Sequence, residues 1–336
     1  MENRLQLPGR RTLRMATGTA LCLAISFALD FPVPVIAPVF AVFLLATQNR
    51  PLSFKAAVML AFVVMLTTAS GLLLVPLLRH YAIAGVTLVG LLLFVAFLYG
   101  VRGGNNLVAT FLVAGLTMIS AAGTADFQVG ATVVGALVKG LLLALLVSAL
   151  MHGLFPETAS ARPPPAAKAV SASQAARIAL RAALVVMPAY LLAMTDPASY
   201  MPIIMKSVSL GRQSCTTTAR GAARELIGST LLGGLLAILF WFALKLAVHL
   251  WMFFLWMLLF GLMVGRRLHG IRMTRYPPGV WLNGFITMII LLGQSVQDSI
   301  AGKDVYTAFA VRMGLFLAVS LYACLMLQAF DRRRSS

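Results

Sequence analysis

Asp30-Phe31-Pro32-Val33-Pro34-Val35-Ile36-Ala37-Pro38 and, in the second half, Asp196-Pro197-Ala198-Ser199-Tyr200-Met201-Pro202-Ile203-Ile204-Met205-Lys206 are two short, proline-interrupted segments, each opened by an aspartate. Proline lacks the backbone N–H and breaks the helical hydrogen-bond ladder. In lipid, interrupted backbone survives only where protein or a water-filled cavity surrounds it. In a membrane protein with an internal repeat, such a pair at matching places points to a transport site.

The chain around these segments is apolar. Of its 336 residues 60% are hydrophobic and only 11% charged, with a mean hydropathy of +0.93. A soluble domain carries about 25% charged residues. Twelve apolar segments can be marked, six on each side of a linker. The first six cover about 13–29, 32–47, 56–78, 82–99, 106–122 and 130–154. The second six cover about 178–194, 199–211, 222–244, 246–265, 279–294 and 305–329. The longer ones approach the ~20 residues needed to cross a ~30 Å hydrocarbon core. Close spacing of the third and fourth segments in each half leaves ten or eleven spans open.

Arg10, Arg11 and Arg14 precede the first apolar run, as in a signal peptide, but no small-residue cleavage site follows. The run reads as a retained first transmembrane helix. The expected fold is an all-α integral membrane protein of about 12 transmembrane helices in two parallel six-helix repeats. Residues 1–154 form the first repeat, 155–176 a cytoplasmic Pro/Ala/Ser-rich linker, and 177–336 the second.

The formal charge of +18 follows topology. No basic face of the kind that grips nucleic acid is present. Counting from the N-terminus, one set of loops and helix ends holds 21 of the 27 lysines and arginines, including Arg11, Arg14, Arg102, Arg177 and Arg266. The opposite loops hold Arg79, Lys245 and Lys303. The positive-inside rule then places both termini and the linker in the cytoplasm. The cysteines Cys22, Cys215 and Cys324 stand apart, without metal or disulfide spacing.

The halves agree in the order of their scarce charges. Arg11 and Arg14 match Arg177 and Arg181; Asp30 matches Asp196, Gln48 matches Gln213, Asp126 matches Asp298 and Lys139 matches Arg312. Two halves of six spans share one orientation. Function is expected at the interface of such a repeat.

Lys139, Lys206 and Arg312 fall inside spans, where a cation costs on the order of 3 kcal/mol and usually marks a substrate path. They are the candidate substrate-binding residues; snorkelling to an interface is the structural alternative. Asp30, Asp126, Asp196 and Asp298 lie at the outer ends and are candidate proton carriers, with helix capping as the alternative. No phosphate loop, HExxH or GxSxG motif occurs, and no catalytic or metal constellation stands out. The chain reads as a non-enzyme without cofactors.

The ninth segment opens Arg224-Glu225-Leu226-Ile227-Gly228-Ser229-Thr230-Leu231-Leu232-Gly233. Arg224, Glu225, Gly228 and Gly233 read as a cytoplasmic gate or as a packing face. The run resembles the Arg…Gly-Thr…Gly signature of the fusaric acid resistance and aromatic acid exporter superfamily, and the duplicated halves fit that architecture. The chain is a compact form without the large cytosolic domains of typical members. The plant aluminium-activated malate transporters look distantly similar.

The resemblance implies a bacterial inner-membrane efflux subunit. Its partners would be a small organic, especially aromatic carboxylic, acid as substrate, a periplasmic membrane-fusion-type adaptor, an outer-membrane channel and further copies of itself; nucleic acid is not among them. The leading expectation is therefore a proton-coupled secondary transporter exporting such acids. A passive anion channel and a non-transporting scaffold subunit are the alternatives.

Overall fold

The computed structural model describes residues 2–48, 52–157, 171–216, 221 and 223–332. All regular structure among them is helical. Helices α1 (Glu2–Ala28) and α2 (Ile36–Thr47) are joined by an irregular segment. Next come α3 (Phe54–Leu73), α4 (Val75–His80) and α5 (Ala82–Val101). Helix α6 (Asn106–Ala114) passes through a π-helical turn, Gly115–Ile119, into α7 (Ser120–Ala125), and α8 (Phe127–Leu154) follows.

Past the linker are α9 (Ala172–Thr195) and α10 (Pro197–Thr216). A second π-helical turn, Ala223–Ile227, leads into α11 (Gly228–Leu246). Helices α12 (Leu250–Leu268), α13 (Pro278–Ile300) and α14 (Val305–Arg332) complete the chain.

Nine helical stretches among the described residues are long and apolar enough to cross a membrane. Three helices fall outside that set. Helix α1 begins among arginines, α2 has only 12 residues, and α10 carries Lys206, Arg212 and Gln213. The chain is thus an all-helical, multi-pass membrane protein.

Its helices gather into two compact units, neither continuous in sequence. The first holds α1, α2, the start of α3, α8 from Ala136 and α11–α13, with α14 as far as Ala310. Within it α1 packs on α12 and α2, and α11 packs on α13. The second holds α3 from Phe62, α4–α7, α8 as far as Gly135, α9, α10 and α14 from Val311. There α9 packs on α10 and α5, and α10 also meets α6 and α7.

The two proline-marked segments fold differently. In the first, α1 ends when Asp30 adopts a left-handed backbone with φ of +48°. The Phe31 N–H then bonds the Ser26 carbonyl at 3.0 Å and the Asp30 N–H bonds that of Phe27 at 3.2 Å, a Schellman termination. Pro32 and Pro34 keep the chain irregular until α2 begins at Ile36.

Val35 and Ile36 are both 1% exposed and fit over glycines. A Cβ added at Gly140 of α8 would fall 2.6 Å from the Ile36 side chain, and one added at Gly293 of α13 would overlap Val35. Gly140 is at the middle of α8, so the break is buried at the depth of a helix centre.

The second segment is not broken. Helix α10 runs through Pro202. Pro197 occupies its first position, where no N–H is needed. Pro202 forfeits a single bond, to the residue 198 carbonyl, so the loss is confined to the second turn. Asp196 caps this start: its Oδ1 accepts from the Ser199 N–H at 3.2 Å.

Candidate functional site

In the second unit, Lys206 is the candidate that the structure singles out. It is 1% exposed, one of the largest fully buried side chains. It lies nine residues past Pro197 and ten before Thr216, about 14 Å from either end at 1.5 Å per residue. A lysine that deep cannot snorkel to an interface along its own stem. Ser207 and Ser214, both fully buried, extend the polar character of α10.

The helices beside α10 add further polar groups to the second unit. Tyr190 of α9 and Ser120 of α7, both 0% exposed, have their hydroxyls 3.2 Å apart. Ser120 directly follows the π-helical turn. Such a turn inserts one residue into the helical register and re-aims the side chains after it.

The other sequence-predicted residues are dispersed. Lys139, on α8 in the first unit, is exposed, and Arg312, on α14 in the second, is half-buried. Asp30, Asp126 and Asp196 are exposed, and each ends or starts a helix. Asp126 Oδ1 accepts from the Gln128 N–H at 2.8 Å.

Asp298 differs from these three. It is 4% exposed, in the last turn of α13. Carboxylates are disfavoured at that helix end, where carbonyl dipoles converge. Capping therefore does not account for Asp298.

At the start of α11, Arg224 is exposed and Glu225 half-buried. The two glycines of that run diverge. A Cβ at Gly228 meets nothing within 4 Å, while one at Gly233 would lie 2.7 Å from the Gly284 carbonyl and 2.5 Å from Thr287 Cβ. Gly233 is a helix-crossing point; Gly228 is not.

Two arginines that the sequence offers as markers of orientation and of the repeat, Arg14 and Arg181, are structural anchors. Arg14 is 1% exposed, and its Nη2 donates to Glu157 Oε1 at 2.9 Å and to the Gln48 carbonyl at 3.4 Å, just past α2. Arg11 grips both oxygens of Glu157 at 2.9 Å, and Arg10 donates to the Pro156 carbonyl at 3.0 Å. Burial would raise the Glu157 pKa, but hydrogen bonds and charge from Arg11 and Arg14 outweigh it and hold the carboxyl below the usual carboxylate range. The linker thus begins as a fixed latch on α1; its residues 158–170 lie outside the described set.

In the second unit Arg181, 6% exposed, donates through Nη2 to the Ser214 carbonyl near the end of α10. In each unit, then, a first-helix arginine serves the C-terminal carbonyls of a second helix, where a cation is favoured. The signal was the placement of Arg14 and Arg181 inside the first apolar turns, not at their margins.

These features define a multi-pass α-helical membrane protein with charge buried in its helices. Residues 11–151 match a family described as a protein of unknown function (DUF2955). No curated protein and no solved structure matches the chain.

Proposed function

We propose that the protein is a secondary transporter that exports small organic acids, aromatic carboxylates foremost, across a bacterial inner membrane. The observation that carries the reading is Lys206, buried at the centre of a helix too polar for lipid. A buried cation is costly, and it is kept in membrane helices where it meets an anion or a polar path. Its role is to offset the substrate carboxylate. Asp298, the one proposed proton carrier whose place capping does not explain, is the first choice for coupling. A periplasmic adaptor of the membrane-fusion type would receive the product.

The repeat belongs to the same proposal, with twelve spans in two six-helix halves. Three features support it. The 11–151 match ends within the sixth segment. The paired helices correspond: α1 on α12 in the first unit, α9 on α5 in the second. The glycine crossings correspond too: Gly233 against the Gly284 carbonyl, and Gly115 with an added Cβ 2.6 Å from the Thr67 carbonyl.

Cells carrying Lys206→Ala at wild-type membrane level should lose tolerance to exported acids. Unchanged efflux contradicts the assignment. An uncoupled anion channel is the second reading, favoured by the capping roles of Asp126 and Asp196. Current in liposomes without proton movement would select it.

A further inference from the structure

On the second unit, α5 and α9 do not close against each other along their whole length. They leave an open groove of about 680 Å³, walled by apolar side chains such as Phe94, Leu180 and Leu184. Thr87 is also in the wall, but its hydroxyl is already bonded to the Ile83 carbonyl at 2.8 Å. The single charged residue in the lining is Arg177, which is exposed.

The two helices run antiparallel. Thr124 at the end of α7 meets Met194 near the end of α9, and the Gly123 and Thr124 carbonyls accept from Arg79 of α4, which leads directly into α5, so the start of α5 lies at the end of α9. Arg102, the exposed C-cap of α5, therefore shares the Arg177 end of the groove. Along its α9 wall the groove runs from Met187 to Arg177, about 15 Å of helix, which matches the ~15 Å half-thickness of a hydrocarbon core. An apolar channel of that length ending in two arginines matches an acyl chain below a phosphate.

We infer that this groove is a binding site for an anionic phospholipid, its acyl chain between α5 and α9 and its headgroup on Arg177 and Arg102. Basic residues between membrane helices at the positive-inside face recognise such headgroups. The site is independent of the transport reading, because it needs only a membrane and these two helices.

Native mass spectrometry of the full-length protein tests it, with phosphatidylglycerol and phosphatidylcholine of identical chains as probes. Wild type should retain phosphatidylglycerol in preference. Each of Arg177→Gln and Arg102→Gln should lower that retention about fivefold, as expected for ~1 kcal/mol per basic residue near the headgroups. Gly90→Phe, which fills the groove, should lower retention of both lipids. Gly90→Ala should not, since its Cβ would sit at an ordinary 3.6 Å from Met187. Equal retention of the two lipids, or indifference to both arginine substitutions, overturns the proposal. So does a dimer that Gly90→Phe dissociates, which would make the groove a contact between copies. If Gly90→Phe does not fold, the arginine variants decide the matter.

Discussion

One pair of helices closes tightly in the first unit, and another leaves an open groove in the second. Helix α1 meets α12 through glycines: a Cβ on Gly261 would lie 3.0 Å from Ala16, and one on Gly265 would lie 2.8 Å from Thr12. Helix α9 meets α5 across the groove at Gly90, where a Cβ has room. The second helices differ in the same sense. Helix α2 is short and apolar, with its entry wedged over Gly140 and Gly293; α10 is full-length and polar, with Lys206 at its centre. The first unit is closely packed at both places. The second keeps a buried lysine at the centre of a helix and an open flank.

The sharpest test of this contrast is steric. Gly71→Ala drives a Cβ into the Gly115 carbonyl, which is backbone and cannot turn aside. The expected cost is about 3 kcal/mol or more, read as loss of folded protein in a detergent melt. Gly233→Ala, in the first unit, meets the Gly284 carbonyl at 2.7 Å and should cost about 1–3 kcal/mol. If the two crossings correspond, as the proposed repeat requires, both changes are costly; tolerance of either one breaks the correspondence.

Next is the latch. Glu157→Gln leaves Arg14 buried without its carboxylate, and a loss of about 2–3 kcal/mol is expected for a charge-assisted, nearly buried pair. Because the folded Glu157 pKa is depressed, its contribution is complete above the unfolded value and fades as pH falls through the folded one. Melting curves of wild type and variant should therefore converge in acid. A constant gap across pH would show that the latch acts through shape.

Smaller effects separate closed flank from open. Gly265→Ala should destabilise by about 1 kcal/mol, and Gly90→Ala should be neutral or better. Smallest is Asp30→Gly, which keeps the left-handed helix end and removes the carboxyl. Unaltered melting together with unaltered efflux would assign Asp30 to termination alone. Lost efflux would return it to proton coupling.

Much of this was legible in the sequence. Hydropathy and loop charge are enough for an all-helical membrane chain, because lipid demands internally bonded backbone. Lys206 was visible as a cation inside an apolar segment, but that segment, 199–211, reads as short; its depth emerges only because α10 runs from Pro197 to Thr216. What escaped was set by tertiary contacts. Pro202 looks like a breaker in sequence, yet its place near a helix start makes it cheap. Asp126 and Asp196 read equally well as caps or carriers; their hydrogen bonds to the Gln128 and Ser199 N–H groups show the capping role. Glu157 reads as a linker residue, because nothing local announces that Arg11 and Arg14, more than 140 positions away, will hold it. The assembly of each unit from both halves of the chain is likewise invisible to any window of sequence.

Flux through purified protein in liposomes tests the central claim most directly. Wild type and Lys206→Ala would be loaded with a panel of aromatic carboxylates under an imposed pH gradient. The account predicts gradient-driven flux of at least one acid in wild type and its loss in the variant at equal reconstitution. Equal flux in both would contradict it.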